Sequence, residues 1–357
     1  WLSDEDFWPV ISRANAGAQI LTQLSARIGE EVYTYQRQNM SVQDLDAEGS
    51  IIYWTPTAQG LMEIPYGEPA RNYLTISETG YCVGCHAISS AGVLAASYGG
   101  GDSPIIMRDM ETDEYLRSYD SSVTANFKVF SPDGTMLLTN QSGALTLYDG
   151  LTGEFLANPV IDGSDYVTQM DWSLDDTQIV YATGEASGDL NITGSSEIHL
   201  APHLGGGEFG PAETLVTPAD LDPSYGFTVV YYPVFSPDGQ WVVFNASTGD
   251  SYDDPDATLF AIPSDGGVPI ELGRANLGAG LSNSQPKWAP GEADVDVFWF
   301  AFSSRRTYGS ITAGNPQIWM SSFDPEKASL GADPSSPAVW LSNQSTDQNN
   351  HVPVWVD

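Results

Sequence analysis

The chain has 357 residues, 41 % of them hydrophobic, enough for one large or two ordinary domains with a substantial core. Acids outnumber bases 47 to 12, a formal charge of −35, so like-charge repulsion excludes nucleic acid and anionic membrane surfaces as partners. The same balance favours a cationic partner, bound calcium or solubility in high salt, and a solvated acidic surface is the preferred reading. No run approaches the ~20 apolar residues that span a bilayer. The sequence opens on Trp1 instead of Met, which reads as the trace of a removed leader and places the protein outside the cytoplasm: periplasmic, cell-surface or extracellular.

Residues 1–45 read as an N-terminal helical extension. Ser3 can cap, with Asp6 returning the bond in a capping-box variant. Phe7, Ile11, Ala14, Ala18, Leu21, Ser25, Ile28 and Val32 then keep near-helical spacing, with one polar break. This stripe is expected to dock on the main body or on another subunit.

From residue 46 to 357 the texture is all-β: short β-rich runs alternate with Gly, Asp, Asn, Ser and Pro clusters. The first runs are Ser50-Ile51-Ile52-Tyr53-Trp54, Gly60-Leu61-Met62-Glu63-Ile64 and Asn72-Tyr73-Leu74-Thr75-Ile76. They are followed by Cys82-Val83-Gly84-Cys85-His86, a Cys-x-x-Cys-His run that holds both cysteines of the chain. This is the attachment signature of c-type haem, in which two thiols form thioethers to the vinyl groups and the histidine meets the iron. A zinc site would need further ligands, and a thioredoxin-like dithiol would need a following helix that the sequence does not supply.

A repeat follows. Val129-Phe130-Ser131-Pro132-Asp133-Gly134 recurs as Val234-Phe235-Ser236-Pro237-Asp238-Gly239, with weaker copies at Asp171-Trp172-Ser173-Leu174-Asp175-Asp176 and Lys287-Trp288-Ala289-Pro290-Gly291. Each copy ends one strand and turns into the next: Pro sets φ, Asp bonds its own backbone and Gly takes positive φ. Four strands per period of about 40–60 residues describe a propeller blade. These motifs resemble the TolB-like, WD-related propeller repeats whose hallmark is Phe-Ser-Pro-Asp-Gly, which implies a six-bladed β-propeller and says nothing about function. Blades start near residues 126, 168, 231 and 284, and His86 to Gly92 overlays the same turn at the start of another. His351-Val352-Pro353-Val354-Trp355-Val356 reads as the first strand of the blade whose other three strands lie at the N-terminal end, closing the ring.

The expected cofactor is one covalent haem c, held by Cys82 and Cys85 with His86 on the iron. His351, four residues before Trp355, is the expected distal ligand, with Met170, Met107 or a group from another subunit as rivals. Asp250, Asp253, Asp254 and Asp256 crowd one loop with calcium-type donors but lack the twelve-residue calcium-loop spacing, so a solvated loop is preferred. One haem without substrate machinery favours an exported monohaem cytochrome, an electron carrier and not a catalyst. It would pass electrons between redox partner proteins, with self-assembly if neighbouring subunits bring haems close. The alternatives are a haem enzyme such as a peroxidase, and a propeller binding module with a structural or sensory haem.

Overall fold

The computed structural model describes residues 14, 18–42, 49–65, 68–99, 103–163, 166–186, 191–278, 280–291, 295–307, 314–341 and 343–356. The chain divides into two compact units, Trp1–Glu48 and Gly49–Asp357.

Over residues 18–42 the expected helix is corrected, while Phe7 and Ile11 of the predicted stripe lie outside the described residues. Gln19–Thr22 pairs with Gln38–Ser41, and Ser25–Ile28 pairs with Glu31–Thr34, both antiparallel. Gly29, at φ 64°, turns the chain between the inner two strands. The near-helical spacing of Leu21, Ser25, Ile28 and Val32 is overridden by that turn and by the β-preferring run Val32-Tyr33-Thr34-Tyr35. The expected cap at Ser3 and Asp6 lies outside the described residues.

The second unit is a six-bladed propeller. Blade 1 joins the C-terminal strand His351–Val356 to Ser50–Thr55, Gly60–Ile64 and Arg71–Leu74. Blades 2 to 6 have innermost strands Val83–Ile88, Lys128–Phe130, Thr168–Trp172, Val229–Phe235 and Ser284–Trp288, each followed outward by antiparallel neighbours in chain order. The hairpin after the innermost strand is wired by side chains in blades 2 to 5. Ser131 Oγ donates to Asp133 Oδ1 at 2.7 Å and accepts from Met136 N at 2.9 Å, while Gly134 takes φ 71°. Ser173 and Asp175 repeat the bonds in blade 4, and Ser236 and Asp238 in blade 5. In blade 2 Ser89 keeps the role, accepting from Val93 N at 3.0 Å, with no acid at the third position.

Both faces of a blade pack on neighbours, so the second strands are apolar throughout instead of alternating. Trp241-Val242-Val243-Phe244 is buried along its length. Core clusters fill the seams: Leu94 and Ile106 meet Ile52 and Leu61 between blades 1 and 2, and Phe300, Phe302 and Trp319 meet Val243 and Leu259 between blades 5 and 6. Each large side chain so buried stabilises the fold by roughly 1.5–3 kcal/mol. Among the described residues no helix is long and apolar enough to cross a membrane.

The ring depends on one antiparallel pairing, Val354 opposite Ile52 and Trp355 opposite Ile51. Deleting residues 351–357 is expected to abolish the cooperative thermal transition followed by circular dichroism, because it bares the inner edge of Ser50–Thr55 and the seams beside blade 1. A truncated protein that melts as sharply and at the same temperature would show that three strands suffice for blade 1.

Candidate functional site: the central cavity

Aligned on their last aromatic or branched residue, the six innermost strands place two rings of side chains around the propeller axis. Three residues before that anchor stand Cys85, Phe127, Gln169, Tyr232, Gln285 and Val352; one residue before it stand Ala87, Val129, Asp171, Val234, Lys287 and Val354. All twelve line a cavity of about 860 Å³. That volume lies in the range of sites that enclose a small molecule or cofactor.

The upper ring is built on strained backbone. Cys85, Gln169, Tyr232, Gln285 and Val352 have φ of 45°, 49°, 48°, 61° and 50°, the left-handed region that L-residues avoid. At each the ladder to the second strand slips by a bulge. A bulge re-aims side chains and releases a backbone N–H from the sheet. Side chains then catch those groups: Gln169 Oε1 accepts from Tyr232 N and Gln285 Oε1 from Val352 N, each at 2.9 Å, and Asn245 Oδ1 accepts from Gln285 N at 3.0 Å. Repeated strain of this kind, roughly 1–3 kcal/mol per residue, clusters where side chains must face a site.

Cys82, Cys85 and His86 all line this cavity, and both cysteines are free thiols. The motif is not on a helix: Cys85 and His86 lie in the strand Val83–Ile88. Burial pushes both thiol pKa values up. His86 is 6 % exposed, and its Nε2 lies 3.4 Å from the carbonyl oxygen of Ile52 in blade 1, a long contact, while Nδ1 is buried without a hydrogen-bond partner. Burial lowers its pKa to about 4, so the imidazole is neutral at pH 7. Gly84 lets Trp54 approach closely: a Cβ there would stand 3.2 Å from Trp54 Nε1.

The other expected ligands are placed differently. His351 is buried between the rings of Trp54 and Tyr252, with centroids at 5.8 and 5.7 Å, and is not among the described residues that line the cavity. Met107 is sealed in the core between blades 2 and 3, and Met170 packs in the core between blades 3 and 4 as well as on the cavity wall. The aspartates of the 250–256 loop are committed to protein donors. Asp253 pairs with Arg305 and accepts from Ser282, Asp254 accepts from Asp256 N, and Asp256 accepts from Thr248. Among the described residues no group of three or more His, Cys, Asp or Glu converges on a metal position.

The sequence reading missed the charged groups of the wall. Lys128 is 8 % exposed and donates from Nζ to Cys85 O, Asn126 O and Ser97 Oγ at 2.5, 2.6 and 2.7 Å. Burial lowers its pKa to about 8. It thereby pins the left-handed turn that carries Cys85. Lys287 Nζ lies 3.4 Å from Asp171 Oδ1 across the cavity wall, and burial raises the Asp171 pKa even against this cation. The available signal was a lone charge in each of three first strands, one residue before the aromatic anchor at Asp171 and Lys287 and two before it at Lys128.

No family model matches the chain, and no curated protein matches its sequence. Among solved structures, the crystal structure of TolB from Acinetobacter baumannii is similar over 99 % of this chain and 86 % of that one, at 13 % identity and a TM-score of 0.56. A putative TolB from Agrobacterium tumefaciens covers 87 % and 99 % at 13 % identity and 0.46. The dihydro-heme d1 dehydrogenase NirN, in complex with DHE, covers 92 % and 59 % at 13 % identity and 0.48. At such identities the first likeness establishes the TolB-like propeller fold alone, and the other two carry no weight.

The expectation of an electron-carrying monohaem cytochrome is corrected here. The chain-long likeness is to a propeller fold and brings no electron-transfer role with it, and the expected distal ligand His351 is not among the described residues that line the cavity with His86.

Replacing Lys128 with Met is expected to destabilise the protein by about 2–3 kcal/mol, because two carbonyls lose a buried charged donor. Chemical denaturation of the purified variant measures this. A loss within about 0.5 kcal/mol, typical of surface substitutions, would mean that the turn at Cys85 holds without it.

Proposed function

We propose that this chain is a propeller binding module whose central cavity holds one haem, attached covalently through Cys82 and Cys85. The observation that carries the reading is the convergence of two free thiols and a neutral, half-unpartnered imidazole on the wall of one large cavity. The residues present fit the group. The thiols supply thioether bonds. His86 needs only to exchange a 3.4 Å contact for the iron. The mouth is rimmed by the apolar anchors Phe130, Trp172, Phe235, Trp288 and Trp355, which suit a large planar ligand. A haem bound there would supply an iron centre in a structural or sensory role.

The rest of the work falls to the protein. The bulged first strands hold the thiol of Cys85 toward the cavity, Lys128 fixes the Cys85 carbonyl, and the ring of side chains excludes water. Covalent haem attachment takes place outside the cytoplasm, so this reading carries export with it, and a propeller of this kind offers its faces to partner proteins.

The test is expression in an exporting host that carries haem-attachment machinery, followed by intact-mass measurement and a pyridine haemochrome assay. The expected result is one haem per chain that survives denaturation and acid–acetone extraction, and none in the Cys82→Ala, Cys85→Ala double variant. Filling the cavity with Val354→Trp should leave the fold intact by circular dichroism and lower haem content several-fold. Native protein matured in that host without covalent haem would overturn the cofactor, and full haem loading of Val354→Trp would overturn the cavity as its place.

A further inference from the structure

A second feature, independent of the haem, stands on the outer side of blade 2. Four tyrosines come together there from three segments. Tyr81 follows the short helix Ile76–Thr79, Tyr98 ends the second strand of the blade, Tyr115 begins the outermost strand Tyr115–Arg117, and Tyr119 follows that strand. Tyr81 stacks on Tyr119 at 4.7 Å between centroids and on Tyr98 at 6.0 Å, and the Tyr98 and Tyr115 hydroxyls share a hydrogen bond of 2.9 Å. Tyr98 is buried and anchors the group, whereas Tyr81, Tyr115 and Tyr119 remain 42 %, 46 % and 42 % exposed. The segment under Tyr81 is held by its own bonds: Thr79 Oγ1 donates to Tyr81 O at 2.7 Å and accepts from Tyr81 N at 3.1 Å.

Rigid exposed tyrosines are the residues that dominate binding hot spots, since they cover area with little loss of rotamer freedom. The charge around them has one sign. Residues 109–120 carry five acids, Asp109, Glu111, Asp113, Glu114 and Asp120, against the single base Arg117. Arg117 is turned away, donating to Gly153 O and lying over the Tyr148 ring 4.9 Å from its centroid. The neighbouring cation Arg108 is paired with Asp113 at 2.7 Å. The patch therefore offers aromatic faces within an acidic field and keeps its own cations engaged elsewhere.

We infer that the Tyr81–Tyr115–Tyr119 platform is a docking site for a Lys/Arg-rich segment of a partner protein. Its side chains would lie over the tyrosine faces as cation–π pairs while the acids supply long-range attraction. Because Tyr81 precedes Cys82, which lines the cavity, a segment docked there sits beside the binding site of the module.

Fluorescence anisotropy with a short Arg/Lys-rich peptide, and with a Glu-rich peptide of equal length, tests this on the full chain. The basic peptide should bind, and the acidic one should not. Tyr81→Ala and Tyr119→Ala should each weaken binding about fivefold, in keeping with truncation of a hot-spot residue. Tyr119→Phe should retain it, because the ring face is the contact. Phe155→Ala, which removes an aromatic 57 % exposed on blade 3, should leave it unchanged. The same pattern in the Cys82→Ala, Cys85→Ala double variant separates this site from the haem reading. Binding indifferent to both tyrosine truncations would reduce the attraction to diffuse charge and overturn the site. Preferential binding of a neutral oligosaccharide with the same tyrosine dependence would overturn the choice of partner.

Discussion

The pairing of His351–Val356 with Ser50–Thr55 is the contact on which everything else rests. Each blade keeps an outermost edge strand, but an unclosed ring would also bare the inner edge of Ser50–Thr55 and the flank of the last blade, and this strand joins segments some three hundred residues apart to cover them. The closure also builds the site. It sets blade 6 beside blade 1 and adds Val352 and Val354 to the side chains that line the cavity. Cys82, Cys85 and His86 are local in sequence, and their surroundings come from both neighbouring blades: Ile52 and Trp54 of blade 1 and Lys128 of blade 3.

Closing the ring imposes a second requirement, that the innermost strands show one edge of side chains to a narrow axis. The bulges satisfy it at five of six blades by placing non-glycine residues at positive φ. Such residues are costly, and the surrounding bonds hold them: an amide of the preceding blade, an asparagine of the preceding blade or, at Cys85, the ammonium of Lys128 from the following blade. In a chain with 47 acids and 12 bases, two of the few cations, Lys128 and Lys287, face this cavity. Away from bulk water their interactions are stronger than on the surface, which is why strained backbone and buried charge coincide there.

Much of the architecture was legible because its grammar is short-range. The Ser-Pro-Asp-Gly turns are specified by the residues that make them, and the Ser131–Asp133 and Ser236–Asp238 bonds repeat that local chemistry. The N-terminal segment was misread because the spacing of Leu21, Ser25, Ile28 and Val32 satisfies a helical period, yet Gly29 and the run from Val32 to Tyr35 favour a hairpin, and spacing alone does not rank the two. The electron-carrier reading failed for a different reason: Cys-x-x-Cys-His at the head of a blade states what the residues can attach, not what the protein does with it.

What the sequence by itself determined is therefore the blade, its turns, its repetition, and the presence of two thiols and an imidazole in one short run. Only the tertiary structure decided that this run lies in a bulged strand on a cavity wall and that His351 is packed between Trp54 and Tyr252. It also decided that Lys128, forty-three residues from Cys85, holds the turn between them, and that four tyrosines share one surface. These are meetings between residues distant in the chain. No local preference encodes them, since they arise when the ring closes and the seams between blades fill.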